Sequence, residues 1–406
     1  MRYIHDAFRR GHSGDGRRKE LTIIRQAIYL DHTATAAIVP AVLHRYTELL
    51  ETCYANPASL HSLGLASEKI LREASRQIRQ STGADASRLT MTSGGSESIN
   101  LAIKGYLQAN RRLPSRIITS AGEHAATREV LAFLEQQGYV IDRVALSRDG
   151  GVDLDRLAEA LSQPAALLTL IHGSNETGAV NPIQPIVRLR NRLQPDLAIH
   201  LDSVQAFGKI PVRFDPSGIQ MMSGSGHKLG APKGSGWLLH RAKIRLTAQI
   251  HGGGQQNGLR GGTENPPLAA ATALALQLSV ETLTADEQKI RQLRQRFLDE
   301  IRRRSLPVQP LIPVEGVPQI LAVTVPGLRA ETLVQAMAAR QVFISAGSAC
   351  SSKKKRLVNE ALQAAGLSAE QAMQTVRISF AGNNTDEEIM TAAKQLQNCL
   401  EQLIRV

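Results

Sequence analysis

The chain has 406 residues, of which 42% are hydrophobic and 21% charged, with a net charge of +12 at pH 7. That length and apolar content exclude a disordered chain and a single small module, and point to one large domain with a smaller companion. Three cysteines exclude a disulfide framework, 3% aromatics leave little for stacking on single-stranded nucleic acid, and no apolar run reaches the roughly 20 residues of a membrane span.

The first 18 residues lack the apolar stretch of a signal peptide, so a soluble cytoplasmic protein in a reducing compartment is expected. Residues 1–27 are polar, without a sustained apolar period, and read as an extension or as an arm that docks elsewhere. From Ala27 onward short apolar runs alternate with amphipathic stretches. Arg88–Thr92, Ile117–Ser120, Val140–Leu146, Ala166–His172, Ala198–Asp202, Ile219–Ser223 and Gly236–Leu239 read as strands. Glu97–Gln108, Thr127–Gln137, Leu154–Leu161 and Pro185–Leu193 read as helices between them. This alternation predicts an α/β fold with a mostly parallel sheet covered on both faces.

The texture changes near residue 270. Ala269–Arg304 reads as one long helical region, followed by a proline-rich connection through Pro307, Pro310, Pro313 and Pro318. Strands at Ile320–Val325, Val342–Ile344 and Thr375–Ser379 then alternate with helices at Glu331–Arg340, Leu357–Ala365 and Asp386–Ile404. The expected division is therefore an extension at 1–27, a large domain at 28–268 and a smaller α+β domain at 269–406.

Five segments carry chemistry. Ser223-Gly-Ser-Gly-His-Lys228 ends an apolar strand in a Gly/Ser-rich turn, where Lys228 is either a solvated surface lysine or an amine able to form a Schiff base. Met91-Thr-Ser-Gly-Gly-Ser-Glu-Ser98 opens a helix after a strand, which makes either a capped tight turn or an anion cradle. Asp202 closes the strand of Ala198-Ile-His-Leu-Asp202, as a helix cap or as a carboxylate that holds a ring nitrogen protonated. His124, in Glu123-His124, either makes structural hydrogen bonds or lies against an aromatic cofactor. Cys350 stands among small residues in Ser345-Ala-Gly-Ser-Ala-Cys-Ser-Ser352, beside a cationic run at Lys353–Arg356 that favours its thiolate; Cys53 and Cys399 look like core filler.

The order of these segments resembles a cysteine desulfurase, a class V aminotransferase of the fold-type I pyridoxal-phosphate enzymes. Tyr29-Leu-Asp-His-Thr-Ala-Thr35, Asn56-Pro-Ala-Ser59 with His61, Thr92–Glu97, Glu123-His124 and Asn175-Glu-Thr-Gly178 come first. Asp202-Ser-Val-Gln205, His227-Lys228, Gly252-Gly-Gly-Gln255, Arg260-Gly-Gly-Thr263 and Gly347-Ser-Ala-Cys350 follow. The resemblance spans about residues 28–400 and implies a large domain built on a seven-stranded, mostly parallel sheet.

It also implies roles. Lys228 would carry the cofactor as a Schiff base and move the substrate Cα proton. Asp202 would pair with the pyridine nitrogen, Gln205 would contact the ring oxygen, and His124 would stack on the ring and shuttle protons. Gly95, Ser96, Ser225 and His227 would hold the phosphate, with Thr263 arriving from a neighbouring subunit of a homodimer. Asn175 and Arg377 would take the substrate carboxylate. Cys350 would be the nucleophile that accepts sulfur from L-cysteine as a persulfide, releasing alanine, and passes it to an acceptor in iron–sulfur assembly or tRNA thiolation. A lyase of the same group acting on selenocysteine or another β-substituted amino acid is the alternative.

The sequence departs from the family at Ala34-Thr-Ala-Ala37, at Ser96 where threonine is common, and at Lys353–Arg356, which points to steering of an acidic acceptor or to simple solubility. No metal site is expected, and the low aromatic content argues against direct nucleic-acid binding.

Overall fold

The computed structural model describes residues 27–311, 313, 316–347 and 359–404. The expected extension, Cys350 and the Lys353–Arg356 run lie outside the described residues, apart from Ala27. After the two-residue strand β1 (Ile28–Tyr29) come β2 (Arg88–Thr92), β3 (Arg116–Ser120), β4 (Val140–Val144), β5 (Leu167–Ile171), β6 (Ala198–Asp202), β7 (Met221–Ser225) and β8 (Gly236–His240). These last seven form one sheet in the order β2-β8-β7-β6-β5-β3-β4, parallel except for β8, which runs antiparallel to both of its neighbours.

The middle strands are buried along their whole length, as parallel strands covered on both faces must be. Successive residues feed opposite faces. Leu168, Ile199, Met222 and Leu239 join one apolar layer, whereas Leu167, Ala198, Met221 and Leu238 join the other. Polar groups inside β5, β6 and β7 are paired across the strands: His200 Nδ1 meets Thr169 Oγ1 at 2.9 Å and Nε2 meets Ser223 Oγ at 2.9 Å. Burial holds this imidazole far below its ordinary pKa, at about 3, so it is neutral core rather than chemistry.

A second core gathers around β9 (Gln309–Leu311), β10 (Ile320–Thr324) and β12 (Thr375–Ser379), with β11 (Val342–Phe343) pairing with β1 in parallel. Leu30 sits in this second core, so the segment before the large sheet begins its packing with the far end of the chain. The long helical region expected over Ala269–Arg304 is two helices, Pro266–Glu281 and Leu283–Arg303, bent by 68°. The break has a packing cause. The first helix is apolar nearly all round and buries Ala269, Ala271, Ala273, Ala275 and Leu276 in the first core. The second is amphipathic and gives Ile290, Leu293, Phe297 and Ile301 to the second. Among the described residues no single helix is long and apolar enough to cross a membrane.

Candidate active site

Parallel strands bring their carboxyl ends to one edge of the sheet, and the functional side chains collect there. Asp202 ends β6 and Ser225 ends β7; His124 and Asn175 each follow a strand end, of β3 and β5, by four residues. Of the twelve residues singled out in the sequence, ten line a single cavity of about 340 Å³: Gly95, Ser96, His124, Asn175, Asp202, Gln205, Ser225, His227, Lys228 and Arg377.

The Lys228 amine donates to the carbonyls of Thr33 and Ala34, both at 2.8 Å. Burial and the Arg377 guanidinium push its pKa down from 10.5 to about 8, against the pull of Asp31, Asp202 and Glu176. Asp202 is buried, with Oδ1 accepting from the Val204 N–H at 3.1 Å, and burial lifts its carboxyl above the ordinary range. His124 caps the Ala125–Gln136 helix: its Nδ1 accepts from the Ala126 N–H at 3.1 Å, which leaves Nε2 to carry the proton of the neutral ring. Burial depresses its pKa as well. So the structural role weighed for His124 is real, and it fixes the tautomer the site presents.

The same cavity holds a cradle. The Gly95–Asn100 helix starts here with the free N–H groups of its first turn. Ser96 and Ser225 line the cavity, and neither hydroxyl has a hydrogen-bond partner among the described residues. A Cβ on Gly95 would stand 2.8 Å from Val204 Cγ2, so only glycine lets the helix start this close to β6 and β7. His227, with Nδ1 3.2 Å from Thr35 Oγ1, is held neutral by burial and by Lys228, its pKa lowered to about 4. Unpartnered hydroxyls and helix N–H groups at one end, a carboxylate in the floor and a depressed amine beside it fit a phosphorylated pyridine aldehyde.

The second core closes the cavity. Arg377, on β12, is nearly buried; its Nη2 is 3.1 Å from Asp31 Oδ1, and its Nη1 donates to the Asn175 carbonyl at 2.9 Å and lies 3.7 Å from Glu176 Oε1. Glu176 joins more: Oε1 accepts from Asn175 Nδ2 at 2.5 Å and Oε2 from Asn359 Nδ2 at 2.7 Å. Among the described residues the buried Arg377 Nε–H has no partner, which leaves the guanidinium with bonding capacity.

Thr263 is exposed and lines a separate small pocket with Arg260 and Glu264, away from the ten. Cys350, expected to act on this site, lies outside the described residues. Cys53 and Cys399 are buried; Cys399 packs in the second core with its Sγ 3.6 Å from Met337 Sδ. Sequence reasoning assigned no role to Glu176, Asp31 or Lys209. Lys209 had a visible signal, a lone cation in the apolar run Ala206-Phe-Gly-Lys-Ile210.

The aminotransferase class-V family model matches residues 28–391. The chain is 33% identical over 379 residues to a Bacillus subtilis (strain 168) protein named putative cysteine desulfurase IscS 1, covering 93% of this chain and 100% of that one. It is 31% identical over 381 residues to the cysteine desulfurase IscS of Dictyoglomus turgidum, covering 94% and 96%. Among solved structures, a NifS-like protein superposes with a TM-score of 0.87 at 28% identity, over 93% of this chain and 100% of its own.

Proposed function

The chain belongs to the class V aminotransferase family and is a cysteine desulfurase; from that premise we propose that it uses pyridoxal 5'-phosphate to convert L-cysteine to L-alanine, taking the sulfur on Cys350. The observation that carries the proposal is the single cavity that Lys228, Asp202, His124 and Arg377 line together with the Ser96–Ser225 cradle.

In this proposal Gly95, Ser96, Ser225 and His227 hold the phosphate, Asp202 the ring nitrogen and Gln205 the ring oxygen, while Lys228 makes the covalent bond. The bound group supplies an electron sink for the carbanion left when the substrate Cα proton departs. Lys228, freed when the substrate amine displaces it, would take that proton, its amine depressed to about 8. Asn175 and Arg377 clamp the substrate carboxylate. The neutral His124 ring would face the bound group and offer its Nε2 proton. The Cys350 thiolate attacks the substrate sulfur: a sulfur–sulfur bond forms, the Cβ–S bond breaks with its electron pair left on Cβ, Cβ takes a proton, and the proton held by Lys228 returns to Cα to give alanine. The persulfide sulfur then passes to an acceptor serving iron–sulfur cluster assembly or tRNA thiolation.

A cytoplasmic homodimer completes the proposal. Support comes from Thr263, exposed and outside its own cavity, and from the exposed Leu43, Leu50, Leu60, Leu63 and Leu65. The test is a single turnover of the pyridoxal-phosphate-loaded protein with cysteine. Alanine and a trapped persulfide on Cys350, both lost in Cys350→Ser, are expected. Alanine with the sulfur elsewhere would overturn the nucleophile, and cysteine left intact would overturn the activity.

A further inference from the structure

Lys209 is buried, 6% exposed, on the turns that follow β6, and it also lines a second cavity of about 480 Å³ that shares Thr33 and Lys228 with the first. Its surroundings are hostile to an amine. The charges that act on it most are the cations Lys228 and Arg377, while Asp286 and Glu287 line the same cavity without an ion pair to it among the described residues, and burial drives its own pKa well below the ordinary lysine value. Among the described residues its amine has one hydrogen-bond partner, the Gln205 Oε1, four residues earlier in the chain. A buried amine with no ion-pair partner among the described residues is costly to keep, so the contact it makes is where its function lies.

Gln205 lines the active-site cavity, and an amide presents either a donor or an acceptor depending on which way it is turned. Two contacts decide the turn. Lys209 donates to Oε1, and Nε2 donates to the Thr33 carbonyl at 3.1 Å. The flipped amide would set Oε1 against that carbonyl, oxygen against oxygen. The second N–H of Nε2 has no partner among the described residues.

We propose that Lys209 is a positioning residue: its hydrogen bond to Gln205 Oε1, with Thr33 accepting on the other side, locks the amide so that a free N–H is presented to the cavity and donates to the ring oxygen of the cofactor. The inference rests on the proposed pyridoxal-phosphate function and adds to it a residue behind the cofactor that never touches it. The Thr33 carbonyl accepts from both Gln205 and Lys228, so the locked amide and the Schiff-base lysine are set by one backbone segment.

The test is equilibrium binding of pyridoxal 5'-phosphate to cofactor-stripped protein, for native, Lys209→Met, Gln205→Leu and the double variant, with the pH midpoint of the bound visible band read on each. Lys209→Met keeps the buried stem and removes the donor. It is expected to weaken binding about tenfold, the value of one hydrogen bond, and to raise the midpoint of the band, because the ring oxygen loses its donor. The double variant should bind no more weakly than Gln205→Leu alone, since Lys209 acts only through Gln205. Native-like binding and midpoint in Lys209→Met, or losses that multiply in the double variant, would overturn the proposal. Should Lys209→Met fail to fold, Lys209→Gln decides: one bond shorter but still a donor, it is expected to keep affinity within about threefold of native, and a full tenfold loss overturns the proposal. A native protein that binds no cofactor would sink the proposed function together with this inference, whereas an insensitive Lys209→Met in a binding protein sinks this inference alone.

Discussion

Lys228 sits among groups that pull its amine in opposite directions. Burial and Arg377 disfavour the ammonium form, while Asp31, Asp202 and Glu176 favour it; the depressing side wins and the pKa falls to about 8. At pH 7 a useful fraction of the amine is then neutral and nucleophilic, against almost none for an ordinary lysine near 10.4. The rate at which stripped protein captures pyridoxal phosphate should therefore climb from pH 6 and level off just above pH 8. Arg377→Gln removes one depressing cation, so the midpoint should move upward. A capture rate still climbing at pH 10 in the native protein would contradict the burial argument. Asp202 answers to a different logic. Burial raises its carboxyl against the pull of His124 and Lys228, and a protonated ring nitrogen beside it would draw it back to the anion. Asp202→Asn keeps the shape and removes the charge, so alanine formation should fall about a hundredfold while the protein still folds.

Strand ends were the most legible elements, because buried parallel strands are short apolar runs with polar punctuation. Arg88–Thr92, Ala198–Asp202 and Thr375–Ser379 fall where the run lengths placed them. β7 is Met221–Ser225 rather than Ile219–Ser223, because Gly224 and Ser225 look like turn residues in the sequence and are strand residues in the sheet. The reason is across the ladder. Gly224 pairs with Trp237, and a Cβ there would lie 2.2 Å from Trp237 Cε2, so the glycine makes room for the indole instead of ending the strand. Gly224→Ala should lower the unfolding free energy by about 1–3 kcal/mol in a urea titration, through overpacking. Trp237→Phe, with its smaller ring, should cost less in the Gly224→Ala background than in the native one. Additive losses would show that the two side chains do not compete. The helix break at Thr282 had no such local signal, since what changes there is the core each half faces. Glu176 and Lys209 escaped for the same reason: a carboxylate shared by three elements, or an amine behind an amide, is defined only once distant segments meet.

At the scale of the whole molecule the two cores are joined through the site itself. β12 belongs to the second core, yet Arg377 on it donates to the Asn175 carbonyl and lies 3.7 Å from Glu176, and Asn359 bonds the same glutamate, while the pair of Arg377 with Asp31 stays on the second core's own side. In the proposed function one guanidinium thus serves both the substrate carboxylate and cohesion between the cores, and two substitutions should separate them. Arg377→Lys keeps the charge but loses the planar fork. Its KM for cysteine should rise about tenfold, with most of the folding stability retained. Arg377→Ala should show the KM effect and a further loss of about 3 kcal/mol in urea unfolding, because Asp31 loses the cation it pairs with and the Asn175 carbonyl loses its donor. An unfolding midpoint in Arg377→Ala equal to the native one would mean that the tie across the cores contributes nothing and that Arg377 is held there for the substrate alone. In the proposed function the substrate carboxylate would compete with Asp31 and Glu176 for the Arg377 donors, so binding cysteine would loosen the contact between the cores.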